Sequence, residues 1–108
     1  MPDWSRIMIE YVNHPIHYNK KGRKECIEEM CDIFGVTSTV QWAIITAHKY
    51  LYRAGDKEGN SYEQEISKAK WYLEWANNHL HMCGKLEIIQ YATVKDELKK
   101  EVYKHGKA

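Results

Sequence analysis

Val40, Ile44, Ala47, Leu51 and Ala54 recur at steps of four and three, and so do Tyr62, Ile66, Ala69, Leu73, Ala76 and Leu80. Such steps keep apolar side chains on one face of a helix. The two runs predict amphipathic helices over 38–54 and 61–82. Ser38-Thr-Val-Gln41 reads as a capping box at the start of the first. Asn60 or Ser61, with Glu63 or Gln64, serves the second in the same way. Gly55 suits the left-handed position just past a helix end. A linker this short makes the two helices an antiparallel hairpin.

The rest of the chain is less regular. Cys26/Ile27, Met30 and Ile33/Phe34 predict a helix over 24–34, with Gly35 as its stop. Leu86–Ala92 fits either a strand or the start of a helix. Thr93–His105 predicts a charged helix with Val94, Leu98 and Val102 on its inner face. Residues 1–24 read as irregular, because Asn13-His-Pro15 and Asn19-Lys-Lys-Gly22 are turn chemistry. Ile7-Met-Ile9 reads as a short strand or a clamp on the core. The fold class that follows is mostly α: a small helical domain built on an antiparallel helical hairpin, with an irregular N-terminal segment. Its 108 residues suffice for a single domain over 1–108.

Charge narrows the partners. Sixteen Lys and Arg stand against fifteen Asp and Glu. That balance argues against a protein that coats nucleic acid, while leaving room for a local basic pocket. Four Trp and eight Tyr against one Phe favour half-wet sites, such as pocket walls and interfaces. Cys26, Cys31 and Cys83 form no C-x-x-C pair, which points to a reducing compartment. No apolar run approaches the roughly 18 residues of a membrane span. Met1–Arg6 lacks the order of a signal peptide. The expected location is the cytoplasm, with no membrane partner.

The densest chemistry lies in Thr46-Ala-His-Lys-Tyr-Leu-Tyr-Arg-Ala-Gly55. Thr46, Lys49 and Arg53 share a helix face, and Trp42 lies one turn before them. Two cations beside a hydroxyl and flanking rings suit a phosphate with a base stacked nearby. The plainer alternative is a solvated flank whose Lys and Arg pair with Glu63 or Glu65 of the next helix. That helix adds a second stripe, Lys68, Trp71 or Tyr72, Trp75 and His79. It needs a cover, either a ligand or a second subunit, so a homo-oligomer is expected. His14-Pro-Ile-His17-Tyr18 offers polar groups for a site wall. Two His three apart do not make a zinc site, and no metal site is assigned. Glu28-Glu29-x-x-Asp32 is a weak echo of the Mg²⁺-holding E-E-x-x-E of helical nucleotide pyrophosphatases; its downstream acidic pair is missing. No phosphate loop, G-x-G-x-x-G or nucleophile elbow occurs.

Five blocks in one order carry a resemblance: Asn13-His-Pro-Ile-His-Tyr18, Glu25-Cys-Ile27, Lys49-Tyr-Leu-Tyr-Arg-Ala-Gly55, Gly59-Asn60 and Lys68-Ala-Lys-Trp-Tyr-Leu73. Together they resemble a phage-encoded family, domain of unknown function 3310, some of whose members are labelled nucleotide kinase. The resemblance covers about residues 13–80 and leaves 84–108 as a helical extension. It implies a phage or prophage origin, dealings with nucleotides, and a location in the infected host's cytoplasm. Carried over position by position, it marks His14, His17, Tyr18, Glu25, Cys26, Lys49, Tyr50, Arg53, Gly55, Lys68, Trp71 and Tyr72. Two departures touch the expected pocket. The run before Cys26 is Lys21-Gly-Arg-Lys-Glu25 where relatives often read Gly-Gly-Ile-Glu, and Thr46 stands where many carry Asn.

The reading taken is a phage accessory protein that binds an anionic nucleotide or nucleotide-derived signal, sequestering it against host defence. Its expected ligand-binding residues are His14, His17, Tyr18, Trp42, Thr46, Lys49, Tyr50, Arg53, Lys68, Trp71 and Tyr72. The alternative is a nucleoside-monophosphate kinase without a phosphate loop, which would require Mg²⁺. A third is a structural or protein-binding oligomer.

Overall fold

The structure is a computed structural model that describes residues 25–56 and 61–107, with side chains up to 104. Among the described residues it is helical, with no strand: α1 (Cys26–Phe34), α2 (Val36–Arg53), α3 (Tyr62–His79), a 3₁₀ turn (Leu80–Met82) and α4 (Lys85–Lys107). The mostly α class and the central hairpin are as the periodicity predicts. The irregular segment expected over 1–24, with Ile7-Met-Ile9, lies outside the described residues.

Both apolar stripes meet in one core. Val40, Ala43, Ile44, Ala47 and Leu51 of α2 pack with Ile66, Ala69, Leu73, Trp75 and Ala76 of α3. Ile27 of α1 and Val94 of α4 complete it. α3 starts at a true capping box: Gln64 N donates to Ser61 Oγ at 3.1 Å, and Ser61 N donates to Gln64 Oε1 at 2.9 Å. Gly55 takes φ +85°, the left-handed conformation expected of it past the end of α2.

Three expectations are corrected, and the choice left open over Leu86–Ala92 falls to helix. α2 begins at Val36, not near Ser38, and has no side-chain cap. Gly35, at φ +92°, ends α1 and opens α2 in a single residue. Ser38 is therefore inside the helix. Thr39 Oγ1 donates back to Gly35 O at 2.9 Å, and Gln41 reaches across to α4. Leu86–Ala92 belongs to α4, which runs unbroken from Lys85. Its start is held by Gly84 N donating to the buried Glu87 Oε1 at 3.0 Å. Val102 is exposed, so the inner face of α4 runs through Glu87, Tyr91, Val94 and Leu98 and stops short of it. The end of the α1 stripe is open too, with Ile33 and Phe34 each 65% exposed.

Two cross-links set the direction of α4. Gln41 Nε2 donates to Gln90 Oε1 at 3.2 Å, and His48 Nδ1 donates to Glu97 Oε1 at 2.8 Å. Both pairs are 49 residues apart, so α2 and α4 run parallel. Tyr62 Oη donates to Glu101 O at 2.9 Å, joining the start of α3 to the far end of α4. α3 is thus antiparallel to both neighbours. None of the described helices is long and apolar enough to cross a membrane.

Candidate functional site

The antiparallel pairing of α2 and α3 brings their polar flanks together towards the connected end of the hairpin, where α2 ends and α3 begins. Tyr50 is the hub. Lys49 Nζ lies 5.2 Å from its ring centroid, Arg53 Cζ 5.6 Å and Lys68 Nζ 5.3 Å. Cations attract the face of an aromatic ring at such distances. Tyr72 stacks on Tyr50 at 5.9 Å with 15° between the planes. Tyr72 in turn meets Trp42 at 5.3 Å and Trp71 at 5.2 Å, both edge to face. These seven side chains form one cluster across the hairpin.

A carboxylate that the sequence reading left among alternatives completes it. Glu65 is fully buried, with Oε1 3.9 Å from Arg53 Nη2 and Oε2 3.9 Å from Lys68 Nζ. Three cations less one carboxylate leave two positive charges in the cluster. The side chains of Arg53 and Lys68 stay 34% and 44% exposed, so the cradle is open to water on its outer side. Arg53 Nε is buried with no hydrogen-bond partner among the described residues. The side chain stays partly exposed, so its other N–H donors can make a planar, charge-assisted pairing with phosphate or carboxylate.

The plainer reading of this flank and the ligand reading meet at the same residues. Arg53 and Lys68 do face Glu65, yet the rings gathered around them go beyond a solvated ion pair. Thr46 is buried, with a relative exposure of 7%. The Tyr72 phenol is held above its ordinary value, first by burial, then by Tyr50 and Cys26 nearby. Cys26 opens α1, so the first turn of α1 borders the cluster. His14, His17 and Tyr18 lie outside the described residues.

The second stripe divides. Trp75 belongs to the core at 4% exposure. It stacks on His79 at 4.1 Å, and His79 Nδ1 donates to Trp75 O at 2.8 Å. Trp71 and Tyr72 are half-buried on the cradle side. The signal for Glu65 was present in the spacing: one three-residue step back from Lys68 on the same stripe reaches it. No group of three His, Cys, Asp or Glu is placed to hold a metal among the described residues.

A profile of the family described as protein of unknown function (DUF3310) matches residues 12–74. The chain belongs to the DUF3310 family. The match takes in α1, α2 and most of α3, and so every described member of the cradle. Curated proteins similar to this chain include the SaV protein of Lactococcus phage p2 and the SaV protein of Lactococcus phage SK1. Each is 31% identical over 77 residues, which is 71% of this chain and 58% of the relative. The chain thus spans less than two thirds of the length of these curated relatives. No solved structure matches it.

Proposed function

We propose that this DUF3310 protein binds an anionic, nucleotide-like small molecule at the Lys49–Arg53–Lys68 cradle and holds it without turnover. One observation carries the reading: three cations from two helices lie within 5.6 Å of one tyrosine ring, with a second ring stacked on it. The cations suit phosphate oxygens. The rings of Tyr72, Trp71 and Trp42 suit a planar base. In a phage, such a module would serve to sequester a nucleotide signal on which a host defence depends; the similarity to phage proteins supports the setting and not the ligand. Calorimetric titration with the five common nucleoside 5′-monophosphates tests the reading, together with mass spectrometry of any anion that copurifies. Saturable binding of at least one supports it. A folded protein that binds none, and carries no anion, overturns it.

The kinase alternative would place Mg²⁺ beside these cations. Mg²⁺ keeps several of its waters when bound, and so needs room around its carboxylates. Glu65, the carboxylate in the cradle, is fully buried between two cations and does not fit that role. Adding ATP and Mg²⁺ to the same titrations and assaying for diphosphate separates the two readings. We also propose a homo-oligomer. With Trp75 buried inside the chain, its support passes to exposed apolar side chains, among them Phe34, Ile45, Tyr52 and Ile89.

A further inference from the structure

Glu65 is an odd residue to find without exposed surface. Its neighbours on the inner side of α3, Ile66 and Ala69, are ordinary core. Removing a carboxylate from water is expensive, and an apolar side chain of similar size often serves stability as well or better. Its two oxygens reach one cation from each helix of the hairpin, both at 3.9 Å. That distance is too long for a direct hydrogen bond. Towards these two cations the carboxylate acts through charge, which leaves their donors available.

We infer that Glu65 is a positioning residue of the cradle, holding Arg53 and Lys68 at one spacing so that both face a single anionic group. The inference rests on the anion-binding reading of the cradle. Arg and Lys are the side chains with the most rotamer freedom to lose on ordering. A fixed negative charge between them orders both before any ligand arrives, and preorganisation of this kind removes an ordering cost from binding. Without it the two cations repel one another and spread into water. The same carboxylate lowers the net charge of the cradle, so a purely additive charge effect predicts tighter anion binding when it is neutralised. Positioning predicts the reverse.

The test uses Glu65→Gln and Glu65→Asp in the full chain, with the five nucleoside 5′-monophosphates as probes. Arg53 supplies a readout independent of any probe. Its Nε is buried, so the Nε–Hε proton resonance is sheltered from water. In Glu65→Gln that resonance is expected to broaden or vanish while the backbone amide spectrum stays folded. Affinity for the tightest monophosphate is expected to fall about tenfold, the lower end of the 10–100-fold lost at metal sites when a group that orients a metal ligand is removed. Glu65→Asp keeps the charge and should recover part of both. A folded Glu65→Gln with an unchanged Arg53 resonance, or with tighter binding, overturns the proposal. Should Glu65→Gln fail to fold, an unchanged resonance and affinity in Glu65→Asp overturn it, and a displaced resonance with weaker binding upholds it. Should the wild type bind no monophosphate, loss of the resonance in the variant upholds the positioning role while the binding reading falls.

Discussion

α2 makes two polar seams, and they are built on opposite terms. Towards α3 it presents Lys49, Tyr50 and Arg53 to Lys68, Tyr72 and a carboxylate with no exposed surface. Towards α4 it presents Gln41 and His48 to Gln90 and Glu97, and the His48–Glu97 pair is about half exposed, at 51% and 41%. The α4 seam is ordinary surface chemistry: it fixes a register and stabilises little. The α3 seam takes charge out of water and surrounds it with rings, an arrangement that stability alone does not favour. The contrast is what points to a ligand on one side of α2 and to structure on the other.

The sharpest way to break the comparison is Arg53→Ala. If the α3 seam grips an anion, binding should weaken by about 2–5 kcal/mol, as when a charged partner is truncated at a buried pair. That is roughly 30-fold or more in affinity. Unchanged monophosphate affinity by calorimetry in a folded variant would reduce the seam to an ion-pair network. Leu51→Ala probes the other side. Leu51 is core and also lines a groove between α2 and α4 of about 430 Å³, with Tyr52, His48 and Lys104 among its walls. Its truncation should cost about 2–5 kcal/mol of stability in chemical denaturation. Anion affinity of the folded protein should hold.

How far these seams were legible in the sequence follows from what periodicity can see. The stripes of α2 and α3, the Ser61 cap and Gly55 are local signals, and local signals survive into the fold. The start of α2 did not, because Ser38 has the chemistry of a cap but Gly35 had already turned the chain. Trp75 looked like an outward ring because spacing assigns a residue to a flank without saying what covers that flank. Glu65 was half legible. Pairing of the α2 cations with Glu63 or Glu65 follows from the hairpin, and Arg53 does meet Glu65. Its burial was not legible, because spacing places that pair on a solvated flank and does not show the rings that cover it.

Alkaline titration offers a smaller effect on the α3 side. The Tyr72 phenol is raised in the folded protein by burial, Tyr50 and Cys26. A raised value means that the fold favours the protonated form. Its contribution is therefore intact below pH 10.0, the ordinary tyrosine value, and is lost as pH rises through the higher folded value. Tyr72→Phe should flatten that loss in melts taken across the same range. The smallest effect belongs to the α4 seam. Glu97→Gln should change stability by about 0.5 kcal/mol or less, and the change should shrink further in high salt. A larger, salt-resistant loss would mean that the two seams are less different than their exposure implies.

The α2–α4 pairing has a consequence for how this chain tolerates change in length. Its two ties fall seven residues apart on both helices, at 41 and 48 and at 90 and 97. Two such helices are locked in phase, like threads of equal pitch. One residue inserted into α4 between Gln90 and Val94 would turn all that follows by about 100°. Val94 would leave the core and Glu97 would swing away from His48. Seven residues inserted at the same place would keep the angular order but carry Glu97 about 10 Å past His48. Between the two ties α4 is therefore constrained in length as well as angle, and added residues should be accepted only beyond them.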